Sequence, residues 1–286
     1  MNSSNVLANL TPQGFTVARP RALSYGRCTM WLTFVPVLGA LRRLYDMPRG
    51  DARFDAYIGL IGQGDDALAP LSGFNPMARD HVAEALDALM AVEAERVAAQ
   101  AVREAAPRVR HLPADWGMEL RVMLVLSDDL GGMWTHRPTS ELHVRTDQRA
   151  LLRRRWVAPL FWTGDVPTVE GVRATTLAAI YRAVHQIAWG SPRTVEELVE
   201  QERRSIAFAG AGCALPGDEE AALRAAIAPH LDARDEGTLL AVLLGDAPAQ
   251  ALGYDACGVP ERGGLRLAAA EAAREPDPVA ALLEAR

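Results

Sequence analysis

The stretch Arg121–Ser127, with the sequence RVMLVLS, is the segment on which the fold prediction rests. Its apolar run predicts a buried central strand. Glu141–Thr146, ELHVRT, alternates polar and apolar residues and predicts a second, half-buried strand. Thr29–Val35 and Trp156–Trp162 have the aromatic and β-branched content of further strands, although Pro159 restricts the latter to an edge. We therefore expect a small sheet.

Helix signals surround this predicted sheet. Asn75 followed by Pro76 is typical of a helix start and predicts one long helix that ends at Pro107. From Thr168 onward the apolar spacing is helical almost to the end, and the capping box that starts at Thr194 opens one of these helices. The predicted fold class is α+β, mainly helical, with a small central sheet of about three strands and a helical C-terminal half.

The domain organisation follows from the same pattern. Residues 1–286 are predicted to form a single compact domain. A subdivision near residue 166 is the alternative. It would separate a mixed α/β part, 21–165, from a helical part, 166–286.

The composition excludes several classes of protein. The chain has 286 residues, a formal net charge of -6 and no lysine, so all 30 basic residues are arginine. The lack of lysine excludes the lysine-dependent P-loop and Schiff-base chemistries. A hydrophobic content of 49% and a charged content of 23% are typical of a soluble globular protein. The alanine-rich, lysine-free composition indicates a GC-rich coding bias, from which we expect a bacterial source.

The cysteines and the apolar segments indicate the cellular setting. Three cysteines, Cys28, Cys213 and Cys257, are widely spaced and odd in number, which is typical of reduced thiols in a cytoplasmic protein. The apolar segment 28–41 is too short to span a membrane and contains Pro36. We therefore expect a cytoplasmic protein without a membrane partner.

Residues 127–147, SDDLGGMWTHRPTSELHVRTD, carry the most unusual set of reactive side chains. If both flanking segments are strands, 128–140 is a loop of about a dozen residues, and ordered loops of this length are often functional. Asp128 and Asp129 lie at its start and are candidate catalytic residues for acid–base chemistry.

Three more candidates are assigned to this segment. On the predicted second strand, Glu141 and His143 share one face at a separation of roughly 6–7 Å. With His136 from the loop they are candidate catalytic residues, or candidate ligands of a divalent metal in a two-histidine, one-carboxylate set. An edge strand with a solvated polar face explains the same alternation without any site. Of the other histidines, His185 is predicted to lie in the core and His81 on the surface.

The remaining candidates are residues predicted to bind the substrate. Arg137 and Arg145 are candidate substrate-binding residues for a carboxylate or phosphate, and Trp134 would shield the pocket. The sequence thus predicts an enzyme that acts on a small anionic substrate by acid–base or metal-assisted chemistry. The alternative is a helical protein–protein interaction or scaffold protein without catalytic activity. Nucleic-acid binding is disfavoured, since the chain is acidic and contains no recognition module.

Overall fold

The computed structural model describes residues 30–62, 69–71, 73–110, 119–131, 135–275 and 277–283. Trp134, predicted to shield the ligand pocket, lies outside these residues, as does Cys28.

In the described part of the chain, five short parallel strands form two small sheets. The strands are β1 (Trp31–Phe34), β2 (Glu119–Val122), β3 (Val125–Ser127), β4 (Trp156–Val157) and β5 (Leu160–Trp162). A three-stranded sheet has the order β1–β2–β4, and β3 pairs with β5 in a two-stranded sheet. The prediction of strands in these parts of the chain is confirmed.

The central strand is nevertheless interrupted, which corrects the prediction of one strand over 121–127. The ladder breaks opposite Pro159, which has no N–H to donate, while its carbonyl accepts from the N–H of Val125 at 2.9 Å. The N–H of Met123 donates to the carbonyl of Val157 at 3.1 Å. The same two chain segments therefore pair twice, with Pro159 at the interruption.

Four helices precede β2 within the residues that the structure describes. They are α1 (Leu38–Leu44), α2 (Asp51–Ile61), α3 (Asp80–Ala91) and α4 (Ala94–Val109). The single helix predicted from Asn75 to Pro107 is wrong in two respects. Asn75 donates its side-chain amide to Asp128 instead of opening a helix, and Glu93, at φ 51°, separates α3 from α4. Pro107 lies inside the last turn of α4.

The segment predicted as the half-buried strand is a helix, α5 (Arg137–Thr146). The ring of His136 accepts a hydrogen bond from the backbone N–H of Thr139 and caps the helix, and Pro138 lies in the first turn. Ion pairs between residues four apart, such as Arg137 with Glu141, support the helical spacing. The strand prediction for residues 141–146 is therefore wrong.

The second half is helical, as predicted. The helices are α6 (Arg149–Arg153), α7 (Val169–Trp189), α8 (Val195–Ala209), α9 (Gly217–Ile227), α10 (Glu236–Leu244), α11 (Asp246–Ala251), α12 (Gly263–Ala272) and α13 (Ala280–Leu283), with a 3-10 turn at Ala228–His230. The capping box is present, because the Thr194 hydroxyl accepts from the N–H of Glu197 at 3.1 Å. The α+β, helix-rich fold class is confirmed.

Three apolar clusters hold these elements together. One joins β1 and β2 to α4, α7 and α8, and a second lies among α1, α2, α3 and the β3 region. The third is built from α8 to α12 and receives Leu142 from α5. Helix α5 packs against α8 and α10, so it stands beside the sheets and the C-terminal helices at once. None of the helices in the described ranges is both long and apolar enough to cross a membrane.

Candidate functional site

The helical form of α5 places three of the predicted site residues on one face. Arg137, Glu141 and Arg145 are spaced by four residues, so they follow one another along the same side of the helix. All three line one cavity of about 270 Å³, close to the lower end of the roughly 300–1,000 Å³ that is usual for small-molecule sites. The cavity is bounded by α5, β5, α7, α8 and the start of α12.

Both polar and apolar side chains line this cavity. Arg182 of α7 and Arg262 join Arg137 and Arg145, so that four guanidinium groups converge on it. Apolar side chains also line the cavity, and we call them the apolar wall. Its members are Val144, Leu151, Leu160, Ala174, Ala178 and Ala179. A second cavity, of about 690 Å³, shares Arg145, Arg182 and Arg262 with the first and extends towards α12.

Glu141 is buried at the centre of three arginines. Its carboxylate accepts from Nε of Arg137 at 2.9 Å and from Nη2 of Arg262 at 3.2 Å, and Arg145 approaches to 3.6 Å. Burial by itself would raise the pKa of Glu141, but the charges of Arg145, Arg262 and Arg137 outweigh it and hold the pKa below its usual value. Glu141 therefore stays ionised and positions the arginines; it is poorly suited to donate a proton.

Glu202, which is fully buried on α8, holds two of the four guanidinium groups. Its carboxylate accepts from Nε of Arg145 at 3.0 Å and from Nε and Nη2 of Arg182 at 2.7 and 2.9 Å. Burial raises the pKa of Glu202, yet the two arginines more than offset this effect and lower it to about 2. We call Arg145, Arg182 and Glu202 the arginine clamp.

The arginine clamp leaves hydrogen-bond donors free. Within the described ranges, Nη2 of Arg145 and Nη1 of Arg182 donate no hydrogen bond, and both side chains line the cavity. The backbone of Arg145 is fixed as well, because its carbonyl accepts from the side-chain amides of Gln186 and Gln201, each at 2.8 Å. The clamp thus holds both guanidinium groups in place at the cavity and leaves two terminal nitrogens without a hydrogen bond in the described part of the chain.

Arg137 occupies the end of the cavity that lies nearest the strands. It donates to Asp129 at 2.9 Å and, with two nitrogens, to Asp165 at 2.8 and 2.9 Å, while its guanidinium lies 5.3 Å from the centre of the Trp162 ring. Asp129 is itself held by the N–H of Gly164 at 2.8 Å. Two carboxylates therefore surround Arg137 at this end, where Asp165 is half exposed.

Asp128, the first predicted catalytic residue, is fully buried and is not among the hydrogen-bond partners of Arg137. It accepts from Asn75 at 2.9 Å, from Nε2 of His81 at 2.9 Å and from the N–H of Gly131 at 2.8 Å. Burial raises the pKa of Asp128, but the bonds from Asn75, Gly131 and His81 prevail and lower it. This carboxylate ties the turn after β3 to the start of α3. His81 is part of that tie, which corrects its placement on the open surface.

The three predicted metal ligands are not brought together. Glu141 is enclosed by arginines, whereas His143 and His136 are exposed. His136 and His143 are seven residues apart, which corresponds to roughly 10 Å along a helix axis. No group of three His, Cys, Asp or Glu side chains placed to hold a metal ion occurs within the described ranges. The strand spacing on which the metal prediction depended is absent, because the segment is helical.

Sequence reasoning missed Arg182, Glu202 and Arg262. They lie 37 or more positions after Arg145, so no local spacing connects them with α5. One signal was available, since Glu202 falls on the buried face of α8 with Leu198. A carboxylate on such a face requires a cationic partner. His185 is buried, as predicted, and lies outside the cavity lining.

Comparisons of the whole chain with protein-family models, with curated proteins and with solved structures found no match.

Proposed function

We propose that this protein is an enzyme whose small anionic substrate binds in the cavity beside α5. The single observation that carries the proposal is the arginine clamp. A buried carboxylate fixes two guanidinium groups at the cavity wall, and each retains an unused N–H donor. Charge-assisted hydrogen bonds from guanidinium groups are the usual way in which proteins hold carboxylates and phosphates.

The rigidity of the arginine clamp favours anion binding, in addition to its positive charge. Arg145 and Arg182 are fixed before a ligand arrives, so little side-chain entropy would be lost on binding. A concave site with few, convergent polar groups is the arrangement expected of an enzyme active site. The alternative, an interaction or scaffold protein, does not require such a cavity, and this feature favours the small-molecule function.

The proposal assigns different roles to the predicted residues. Arg145 and Arg182 bind the anion. Glu141 orients the guanidinium groups of Arg137 and Arg145. Arg137, which Asp129 holds in place, forms the polar rim at the strand end of the cavity with Asp165. The setting that we propose is the bacterial cytoplasm, from the lysine-free composition and the odd number of widely spaced cysteines.

Isothermal titration calorimetry with small carboxylates, phosphate esters and sulfonates tests this proposal. We expect at least one of these anions to bind wild-type protein, and Arg182→Gln to weaken it about tenfold or more, because a charge-assisted bond is lost. Arg224→Gln removes the same charge from α9, where Arg224 is largely exposed and lies outside the cavity, and should bind like wild type. The proposal would be contradicted if none of the anions binds, or if Arg182→Gln and Arg224→Gln bind the anion with the same affinity.

A further inference from the structure

The charge balance of the arginine clamp indicates how many negative charges the ligand carries. Arg145 and Arg182 both donate to the same oxygen of Glu202, at 3.0 and 2.9 Å, so their donating nitrogens lie within about 6 Å of each other. Two positive charges thus face one carboxylate, and the side chains of both arginines are nearly nine-tenths buried. The next carboxylate, that of Glu141, lies 3.6 Å from Arg145 and is shared with Arg137 and Arg262, so the clamp keeps an excess of positive charge that an anion in the cavity would balance.

The surroundings of the clamp limit the ligand to a single negative charge. Glu141 lines the same cavity and is already shared by Arg137, Arg145 and Arg262. At the strand end, Asp165 contributes a further carboxylate to the lining. A second negative charge on the ligand would face these carboxylates without a free guanidinium group to balance it, which costs free energy at short range.

The free donors also indicate the shape of the anionic group. Within the described ranges, Arg145 and Arg182 each have one terminal nitrogen that donates no hydrogen bond, Nη2 and Nη1 respectively, and a carboxylate has two oxygens, one for each of these nitrogens. The two donors therefore match the two oxygens of one carboxylate.

The rest of the cavity is suited to an apolar group. Ala174, Ala178 and Ala179 present small side chains from α7, and Val144 and Leu160 complete that wall. Alanines leave the space that larger residues on α7 would fill, and the wall offers no charged partner to a ligand. A ligand that fills the cavity therefore buries apolar surface against it, which contributes to affinity in proportion to the area covered.

We propose that the substrate is a monocarboxylate that carries an apolar body. Its carboxylate binds the arginine clamp, and its body lies against the apolar wall. This inference rests on the proposed function and goes further, because it selects one class among small anions. It excludes doubly charged phosphate esters and small, wholly polar anions as the preferred ligands.

Four probes of related structure test the inference by calorimetry at pH 8. Phenylacetate carries both the single charge and the apolar body. Phenylacetamide lacks the charge, acetate lacks the body, and benzyl phosphate has two charges. We expect phenylacetate to bind at least tenfold more tightly than each of the other three, since each lacks a match that is worth about 1.4 kcal/mol or more.

Variants that fill the cavity locate the binding. Ala178→Leu places a larger side chain in the wall, and Thr175→Leu, at a half-buried lining position, does so with less disturbance of the core if Ala178→Leu fails to fold. Each is expected to weaken phenylacetate at least tenfold. Ala225→Leu makes a matched enlargement on the exposed side of α9, away from the cavity, and is expected to leave affinity unchanged.

The outcomes separate this inference from the proposed function. If benzyl phosphate or acetate binds as tightly as phenylacetate and the filling variants abolish that binding, the ligand class is wrong while the anion site stands. If phenylacetamide binds as tightly as phenylacetate, or if no probe distinguishes wild type from the filling variants, both the class and the anion site are refuted.

Discussion

Replacing the buried carboxylate of the arginine clamp with a neutral amide, Glu202→Gln, should destabilise the protein by about 3–5 kcal/mol at pH 7, because Arg145 and Arg182 then remain buried without their counter-charge. The pKa of Glu202 gives a consistent figure. A fall from 4.5 to about 2 corresponds to about 3 kcal/mol of stability at neutral pH. The amide keeps the size of the side chain, so the loss reports charge and not a cavity.

The dependence of this loss on pH is the sharper part of the test. Because the folded-state pKa of Glu202 is depressed, its contribution is complete above the unfolded value, near 4.5, and is lost as the pH falls towards 2. The difference in unfolding free energy between wild type and Glu202→Gln should therefore be largest at pH 6–7 and shrink steadily below about pH 4.5. Urea unfolding followed by circular dichroism at a series of pH values measures it.

Glu200→Gln is the matched control for this experiment. Glu200 lies two residues earlier on α8 and pairs with Arg203 and Arg204 at a partly exposed position. Its replacement should cost at most about 1 kcal/mol. A loss below about 1 kcal/mol for Glu202→Gln, or a loss that does not change between pH 6 and pH 3, would refute the assignment of Glu202 as the charged centre of the clamp.

Three further predictions concern other parts of the structure. Asp128→Asn should lower the unfolding free energy by about 2–4 kcal/mol in urea, since a buried carboxylate with several donors is neutralised; a change under about 0.5 kcal/mol would contradict this. His143→Ala, on the exposed side of α5, should shift the melting temperature by no more than about 2 °C. Gly264→Ala should cost about 1–3 kcal/mol, because an added Cβ would lie 2.6 Å from the carbonyl oxygen of Val242, whereas Gly217→Ala, with open space around it, should cost nothing measurable.

The sequence was sufficient where local signals and burial agree. The apolar runs around Val122 and Val157 are strands, and the capping box at Thr194 starts a helix, because backbone propensity, capping and the buried face all favour the same structure there. The interruption opposite Pro159 was partly foreseeable, since proline restricts strand pairing. The break also divides the partner strand into β2 and β3. Predicting this would have required the register of the two paired segments.

The error at α5 has a definite physical origin. The segment ELHVRT alternates like a strand over six residues, and short segments of this kind do not distinguish a strand from a helix. The helix is favoured by the cap from His136, by Pro138 in the first turn and by contacts made after folding, such as that of Arg262 with Glu141. This last contact joins residues 121 positions apart and leaves no trace in local spacing.

The same limit applies to the candidate site. Arg137 and Arg145 were selected within residues 127–147 as candidate binders of a carboxylate or phosphate, and both line the cavity. Their roles depend on Glu202 and Arg182, which α8 and α7 bring to α5 only in the folded chain. A buried glutamate on α8 indicates that some cation must lie nearby, but sequence alone does not say which one.

A crystal structure of the protein with 4-iodophenylacetate tests the central claim most directly, because anomalous scattering from iodine locates the ligand independently of the protein density. The account predicts that the carboxylate lies within about 3 Å of Nη2 of Arg145 and Nη1 of Arg182. The iodine should then lie near Ala178 of the apolar wall. An empty cavity at a saturating ligand concentration, or a ligand whose carboxylate lies away from both arginines, would contradict it.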